Sequence, residues 1–215
     1  MGAGSSVFVK KVLGDTLMCE CFKDAEIALY DINGERLEDS YMLITQLNKV
    51  INGNKAKVKK YLGVENRKKA LKGANFVINA IQVGLYDPCT IIDFEIPKKY
   101  GLRQTIGDTL GIGGIFRGLR TIQVMKDFAA AIEEVCPDAL VAIHFANPEK
   151  ASNYKNYGYY LASQQVDYDV FASSYYPAWH GTLENLANVL NDIADTYGKK
   201  TMVIETSYSF TEEDT

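Results

Sequence analysis

The sequence predicts an α/β protein built on parallel strands. Three observations lead there. Short apolar segments bounded by turn residues recur along the chain, amphipathic stretches at helical spacing separate most of them, and 215 residues with a hydrophobic fraction of 47% suffice to bury a core. Strand alternating with helix requires crossover connections, which place successive strands parallel.

The chain opens on Met1-Gly2-Ala3-Gly4-Ser5-Ser6 and continues into an apolar helical run. Residues 26–31 (EIALYD) read as the first buried strand. A helix over 33–52 begins Asn33-Gly34-Glu35-Arg36 and carries Leu37, Tyr41, Ile44, Leu47 and Ile51 at helical spacing. Residues 56–61 interleave lysines with Ala56 and Val58, the pattern of an edge strand. A further strand covers 75–80 (NFVINA). The stretch 84–118 breaks the alternation: it is rich in glycine and aromatics and holds Pro88, Pro97, Asp108 and Arg117. Its apolar content argues for a ordered, ligand-facing loop. A helix over 119–135 follows, then strands at 140–145 (LVAIHF) and 168–174 (YDVFASS). A helix over 183–197 has Thr182 as N-cap and Gly198 as its stop, and leads into a last strand at 201–205 (TMVIE). All six strands read as buried. In such sheets functional groups gather beyond the carboxyl ends of the strands.

Charge and composition exclude several classes. A net charge of −4 argues against a nucleic-acid partner. No apolar stretch approaches the ~20 residues that span a bilayer, so no membrane partner is expected. The first residues lack the charged-then-apolar pattern of a signal peptide, and the expected location is cytoplasmic. Cys19 and Cys21 have the wrong spacing for a zinc knuckle, and both histidines, His144 and His180, lie far downstream. All four cysteines are expected as free thiols without assigned chemistry.

Two constellations carry chemistry. In the first, Gly2 and Gly4 precede a helix, as in the turn that cradles a pyrophosphate against helix N–H groups. Asp31 ends the next strand, where an acidic side chain takes a ribose hydroxyl. The third glycine of that fingerprint and the strand before the turn are absent, so a glycine-rich start to a surface helix competes with this reading. The runs GAGSSVFVKKVLGD, AEIALYDINGERLE, NFVINAIQVGLYDP and DFEIPKKYGLRQTIGDTLGIGGIFRGLRTI resemble glycoside hydrolase family 4, the NAD- and metal-dependent α-galactosidases and α-glucosidases. The resemblance covers about residues 1–138. It implies a Rossmann-like sheet, without its first strand, and NAD as cofactor held by Gly2, Gly4, Asp31 and Asn79. It also implies Asp108 and Arg117 beside the sugar. In that family NAD oxidises the sugar, a metal on a Cys and a His polarises the new carbonyl, and a tyrosine removes the neighbouring proton. No cysteine follows Cys136, so the Cys/His site does not carry over and no metal is expected.

The second constellation follows residue 138. Glu205 ends the strand Met202-Val203-Ile204, so its carboxylate emerges at the carboxyl edge, near the aromatics of SYYPAWH (174–180). His144 reads as a hydrogen-bonded strand histidine, and Tyr175, Tyr176 and Trp179 as sugar-stacking or packing rings. The runs HFANPEKASNY, VDYDVFASSYYPAWHGTLENLANVLNDIADTYGKK and TMVIETSYSFTEED resemble the family 53 endo-β-1,4-galactanases, which are (β/α)₈ barrels. The resemblance implies a partial barrel segment over 139–215, Glu205 as catalytic nucleophile, and Asn147, Trp179 and His180 as sugar contacts. Retaining hydrolysis needs a second carboxyl about 5–5.5 Å away. The family's Asn-Glu pair that supplies it does not occur before Leu140.

The expected function is a glycoside hydrolase for galactosides or galactan, impaired because neither active site is complete. The alternatives are a non-catalytic NAD- or sugar-binding remnant and a recombined chain without function.

Overall fold

The computed structural model describes residues 1–103 and 111–207. It is an α/β structure with parallel sheets, and it divides into two compact units, 1–139 and 140–215.

Unit 1 contains α1 (Ser6–Met18), β1 (Glu26–Asp31), α2 (Gly34–Asn52), β2 (Lys57–Leu62), α3 (Arg67–Leu71), α4 (Ile91–Lys99) and α5 (Gly111–Val135). β1 and β2 pair in parallel with Ile27 opposite Val58 and Tyr30 opposite Tyr61. The alternation of β1 sorts its side chains to two faces. Ile27 and Leu29 pack with Val9 and Leu17 of α1 and with Leu37 and Ile44 of α2. Tyr30, on the opposite face, packs with Ala70 and Phe128. α2 begins as its sequence predicts, with the Asn33 side chain accepting the Arg36 N–H. Among the described residues β2 is an edge strand, and two of its three lysines are tied down, Lys59 to Glu26 and Lys60 to Glu38.

Two expectations are corrected here. Residues 75–80 form no regular strand. Within that run the only main-chain partner among the described residues is Met1, whose amino group donates to Ile78 O at 2.7 Å and whose carbonyl accepts from Ala80 N at 3.0 Å. Two bonds to one residue do not make a ladder, and Phe76 and Ile78 stay exposed. Ala3 N in turn donates to Tyr30 O at 2.9 Å, so Met1–Ala3 bridge β1 and the 78–80 segment. The described parts of the expected loop 84–118 are largely helical. Four glycines hid the start of α5, since each costs about 1 kcal/mol relative to alanine in a helix. Tertiary bonding outweighs that: Arg120 on α5 clasps Asp93 on α4 and donates to Val83 O at 3.3 Å.

Unit 2 contains β3 (Ala142–Phe145), α6 (Ala151–Ser163), β4 (Val170–Tyr175), α7 (Leu183–Tyr197) and β5 (Lys200–Thr206). The strands are parallel in the order β3-β4-β5. α6 and α7 cover the sheet through Tyr154, Phe171, Tyr175, Leu186, Leu190 and Ile193. α7 has the predicted ends: Thr182 Oγ1 accepts the Asn185 N–H, and Gly198 closes the helix at φ 64°. Only β4 is buried throughout. β5 forms where expected but is not buried, with Met202 51% and Ile204 44% exposed. Its one strand neighbour among the described residues is β4, so only part of its apolar surface is covered.

Candidate functional sites

In unit 1 the turn Gly2–Ser5 and the end of β1 form one closed arrangement. Gly2 adopts φ 76°, and a Cβ there would meet Ala80 O at 2.6 Å. A Cβ on Gly4 would lie 2.8 Å from Asp31 Oδ2 and 3.2 Å from Arg36 Cβ. Both positions therefore need glycine for space, and the first needs it for conformation as well. Gly4 N donates to Asp31 Oδ2 at 2.7 Å, Asn33 N donates to Asp31 Oδ1 at 2.9 Å, and Arg36 Nε returns to Gly4 O at 3.0 Å. The turn feeds α1, whose N-cap Ser5 makes no side-chain cap, so the first amides of the helix meet no side chain there. A glycine turn without Cβ atoms, a helix amino terminus and a strand-end carboxylate are together what a dinucleotide pyrophosphate and ribose require.

Of the residues expected at this site, Gly2, Gly4 and Asp31 are brought together. Asn79 is next to Ala80, the residue that walls Gly2, and its amide contacts Met125 Sδ at 2.9 Å. Arg117 is on α5, with no hydrogen-bond or ion-pair partner for its guanidinium among the described residues. Asp108 lies outside the described residues. Arg36 was not singled out from sequence; its helical position beside the N-cap pattern was the available signal.

In unit 2 the carboxyl ends of all three strands converge. His144 of β3, Ser174 of β4 and Glu205 of β5 are neighbours through the parallel register, which sets Ser174 opposite Glu205 after an irregularity at Ser173. His144 Nε2 lies 2.7 Å from Ser174 Oγ and 3.7 Å from Glu205 Oε2. The Tyr176 hydroxyl donates to Glu205 Oε1. That bond pushes the tyrosine up to about 12, since losing its proton would set a phenolate against the carboxylate, and burial adds to the shift. Behind the cluster, the Tyr154 hydroxyl bridges Phe145 O at 3.2 Å and Ser173 Oγ at 2.7 Å, joining the ends of β3 and β4.

The turn after β4 is braced from within. His180 is 6% exposed, its Nδ1 accepts the Tyr176 N–H at 3.1 Å, and its ring meets Tyr176 edge-on at 5.3 Å. Trp179 is 69% exposed, with its ring 5.7 Å from that of Tyr176. An exposed indole beside a strand-end carboxylate is a surface on which a sugar ring can stack. Asn147, at φ 67°, donates to Glu149 Oε1 at 3.3 Å. Thus Glu205, Trp179 and His180 are linked through Tyr176, whereas Asn147 has a separate partner. Tyr176 is the residue that sequence reasoning undervalued; it was legible only as one ring in an aromatic run.

Comparison with known proteins accounts for both halves of the pattern. The chain is 53% identical over 148 residues to an α-galactosidase of Bacillus subtilis, covering 69% of this chain and 33% of that one. It is 48% identical over 115 residues to an endo-β-1,4-galactanase of the same organism, covering 53% of this chain and 27% of that one. The chain thus spans about a third of the one relative and about a quarter of the other. In fold it is similar to the 6-phospho-β-glucosidase of Thermotoga maritima, solved with manganese, NAD+ and glucose-6-phosphate. The TM-score is 0.59 at 22% identity, over 93% of this chain and 42% of that chain. Among the described residues no helix is long and apolar enough to cross a membrane. The family 4 glycosyl hydrolase model matches residues 1–167, most of the sequence, and the chain belongs to that family.

Proposed function

We propose that this chain is a glycosidase segment for galactoside-type substrates that binds NAD through unit 1 and turns over poorly. The observation that carries the reading is the cradle in which Gly2 and Gly4 leave no room for a Cβ, beside the Asp31 carboxylate. Gly2 and Gly4 would admit the pyrophosphate, Asp31 would take the ribose hydroxyls, and Asn79 would flank the nicotinamide half. NAD, when bound, supplies a hydride acceptor for a sugar hydroxyl. Arg117 would serve as a sugar contact, as would Asp108. The carbohydrate class follows from the α-galactosidase and galactanase relatives.

A second reading rests on unit 2, where Glu205 would act as nucleophile toward β-1,4-galactan with Trp179, His180 and Asn147 contacting the sugar. Its side-chain partners among the described residues are Tyr176 and His144, neither of them a carboxylic acid. A Glu205 nucleophile that lacks an acid to protonate the leaving oxygen would turn over about 10²–10⁴-fold more slowly.

Calorimetric titration with NAD tests the first reading, together with nitrophenol release from p-nitrophenyl α-galactoside in the presence of NAD, Mn²⁺ and a thiol. NAD binding that weakens at least about tenfold in Gly4→Ala is the expected result; a chain that takes up no NAD overturns it. Galactan hydrolysis that vanishes in Glu205→Gln would favour the second reading instead.

A further inference from the structure

Cys19 and Cys21 flank the tight turn between α1 and β1, away from the cradle residues. Cys19 caps α1, with its N–H directed to Asp15 O at 3.1 Å and Thr16 O at 3.2 Å, and its carbonyl accepts the Phe22 N–H at 3.0 Å. This folds the chain back over one residue, Glu20, and brings the two Sγ atoms to 3.1 Å. Both thiols are exposed, whereas Cys89 and Cys136 are half-buried. The turn is anchored: Asn52 donates to Lys23 O at 2.7 Å, and Phe22 meets Phe76 edge-on at 5.8 Å. A disulfide needs the sulfurs about 2.05 Å apart, so about 1 Å of side-chain rotation closes it.

We propose that Cys19 and Cys21 form a thiol–disulfide exchange site that reacts with low-molecular-weight disulfides, such as oxidised glutathione, and closes to an internal bond. The Cys19 thiolate attacks one sulfur of the external disulfide and expels the first small thiolate, leaving a mixed disulfide. Cys21 then gives up its proton to water and displaces the second small thiol from Cys19. Two protein thiols are oxidised and one external disulfide is reduced to two thiols. The hydrogen bond with Cys19 holds the Cys21 thiol above the usual thiol range, which suits Cys21 to the second, intramolecular step, where proximity compensates for its smaller thiolate fraction. An exposed, closely spaced pair of this kind is easily reduced again, so the site is reversible.

The test is incubation of the full chain with oxidised glutathione, acid quench, and peptide mapping by mass spectrometry. The peptide carrying both cysteines should lose two hydrogens and retain no glutathione, about tenfold faster than Cys89 or Cys136 reacts. The Cys21→Ser variant should stop at a mixed disulfide on Cys19. Glutathione retained on either residue of the unmodified chain, or equal reactivity at the half-buried cysteines, would overturn the proposal.

Discussion

The amide of Gly4 donates to Asp31 Oδ2 across 2.7 Å, joining a turn at the start of the chain to the end of a strand 27 residues later. The same carboxylate accepts the Asn33 N–H, so one side chain sets both the glycine turn and the start of α2. Asp31→Ala leaves both amides without their acceptor, at a cost of about 1–3 kcal/mol for each one not rehydrated. Urea unfolding of unit 1 should register that loss. Gly4→Ala acts differently, because its Cβ would stand 2.8 Å from Asp31 Oδ2 and displace the carboxylate. NAD affinity by calorimetry should fall at least about tenfold in Gly4→Ala, or 1.4 kcal/mol.

Tyr176 offers a spectroscopic reading of the second site. Its pKa is raised, to about 12, first by the hydrogen bond to Glu205. A raised acid contributes stability that is complete below the ordinary tyrosine value near 10 and lost as pH climbs through about 12. The ultraviolet difference titration of the chain against Tyr176→Phe should therefore show one phenol ionising near 12. In Glu205→Gln the carboxylate is gone, and the same difference signal should move back toward 10. A Tyr176 signal that already titrates near 10 in the unmodified chain would mean the pair is not formed in solution.

How legible each feature was depended on the range of the interaction behind it. The α2 and α7 boundaries were readable because Asn33 and Thr182 act on amides three residues away. That Gly4 and Asp31 meet was legible because a glycine turn entering a helix lies beside the end of the next strand in parallel α/β units, even though the gap of 27 residues and the missing third glycine depart from the usual fingerprint. Tyr176 and Glu205 are 29 residues apart, and their contact depends on the irregular register between β4 and β5, which no local pattern encodes. His180 acts over only four residues, but its role depends on the conformation of the turn after β4, which the run SYYPAWH does not announce. The helical character of 84–118 was hidden because glycine and proline mark breaks, while the clasp that overrides them joins Asp93 to Arg120 across 27 residues.

That clasp should be a stability determinant of unit 1. The Asp93 side chain is 1% exposed and meets both terminal nitrogens of Arg120. Asp93→Asn keeps the shape but removes the charge, leaving the guanidinium, 23% exposed, to find water on one side only. Breaking such a pair costs about 3 kcal/mol, the lower end of the usual range because Arg120 retains some solvent. Arg120→Leu with Asp93→Leu removes both charges and should be less damaging than Asp93→Asn alone. Chemical denaturation of the two variants decides this; equal losses in both would assign the effect to packing.

Gly158 sets how closely α6 and α7 approach in unit 2. A Cβ at this position would lie 2.5 Å from Tyr197 Cε2 and 2.9 Å from Ile193 Cδ1. Ile193 is 1% exposed in the core, so it has little freedom to retreat. The Tyr197 ring is partly exposed and can swing outward, though that uncovers apolar surface. Gly158→Ala gains helix propensity of up to about 1 kcal/mol and incurs an overpacking cost of about 1–3 kcal/mol. The cost exceeds the gain, and the variant should be destabilised by about 1 kcal/mol in thermal unfolding. Pairing it with Tyr197→Ala removes the obstructing ring and should recover part of that loss, whereas a strain that resides in the backbone of α6 would not be relieved.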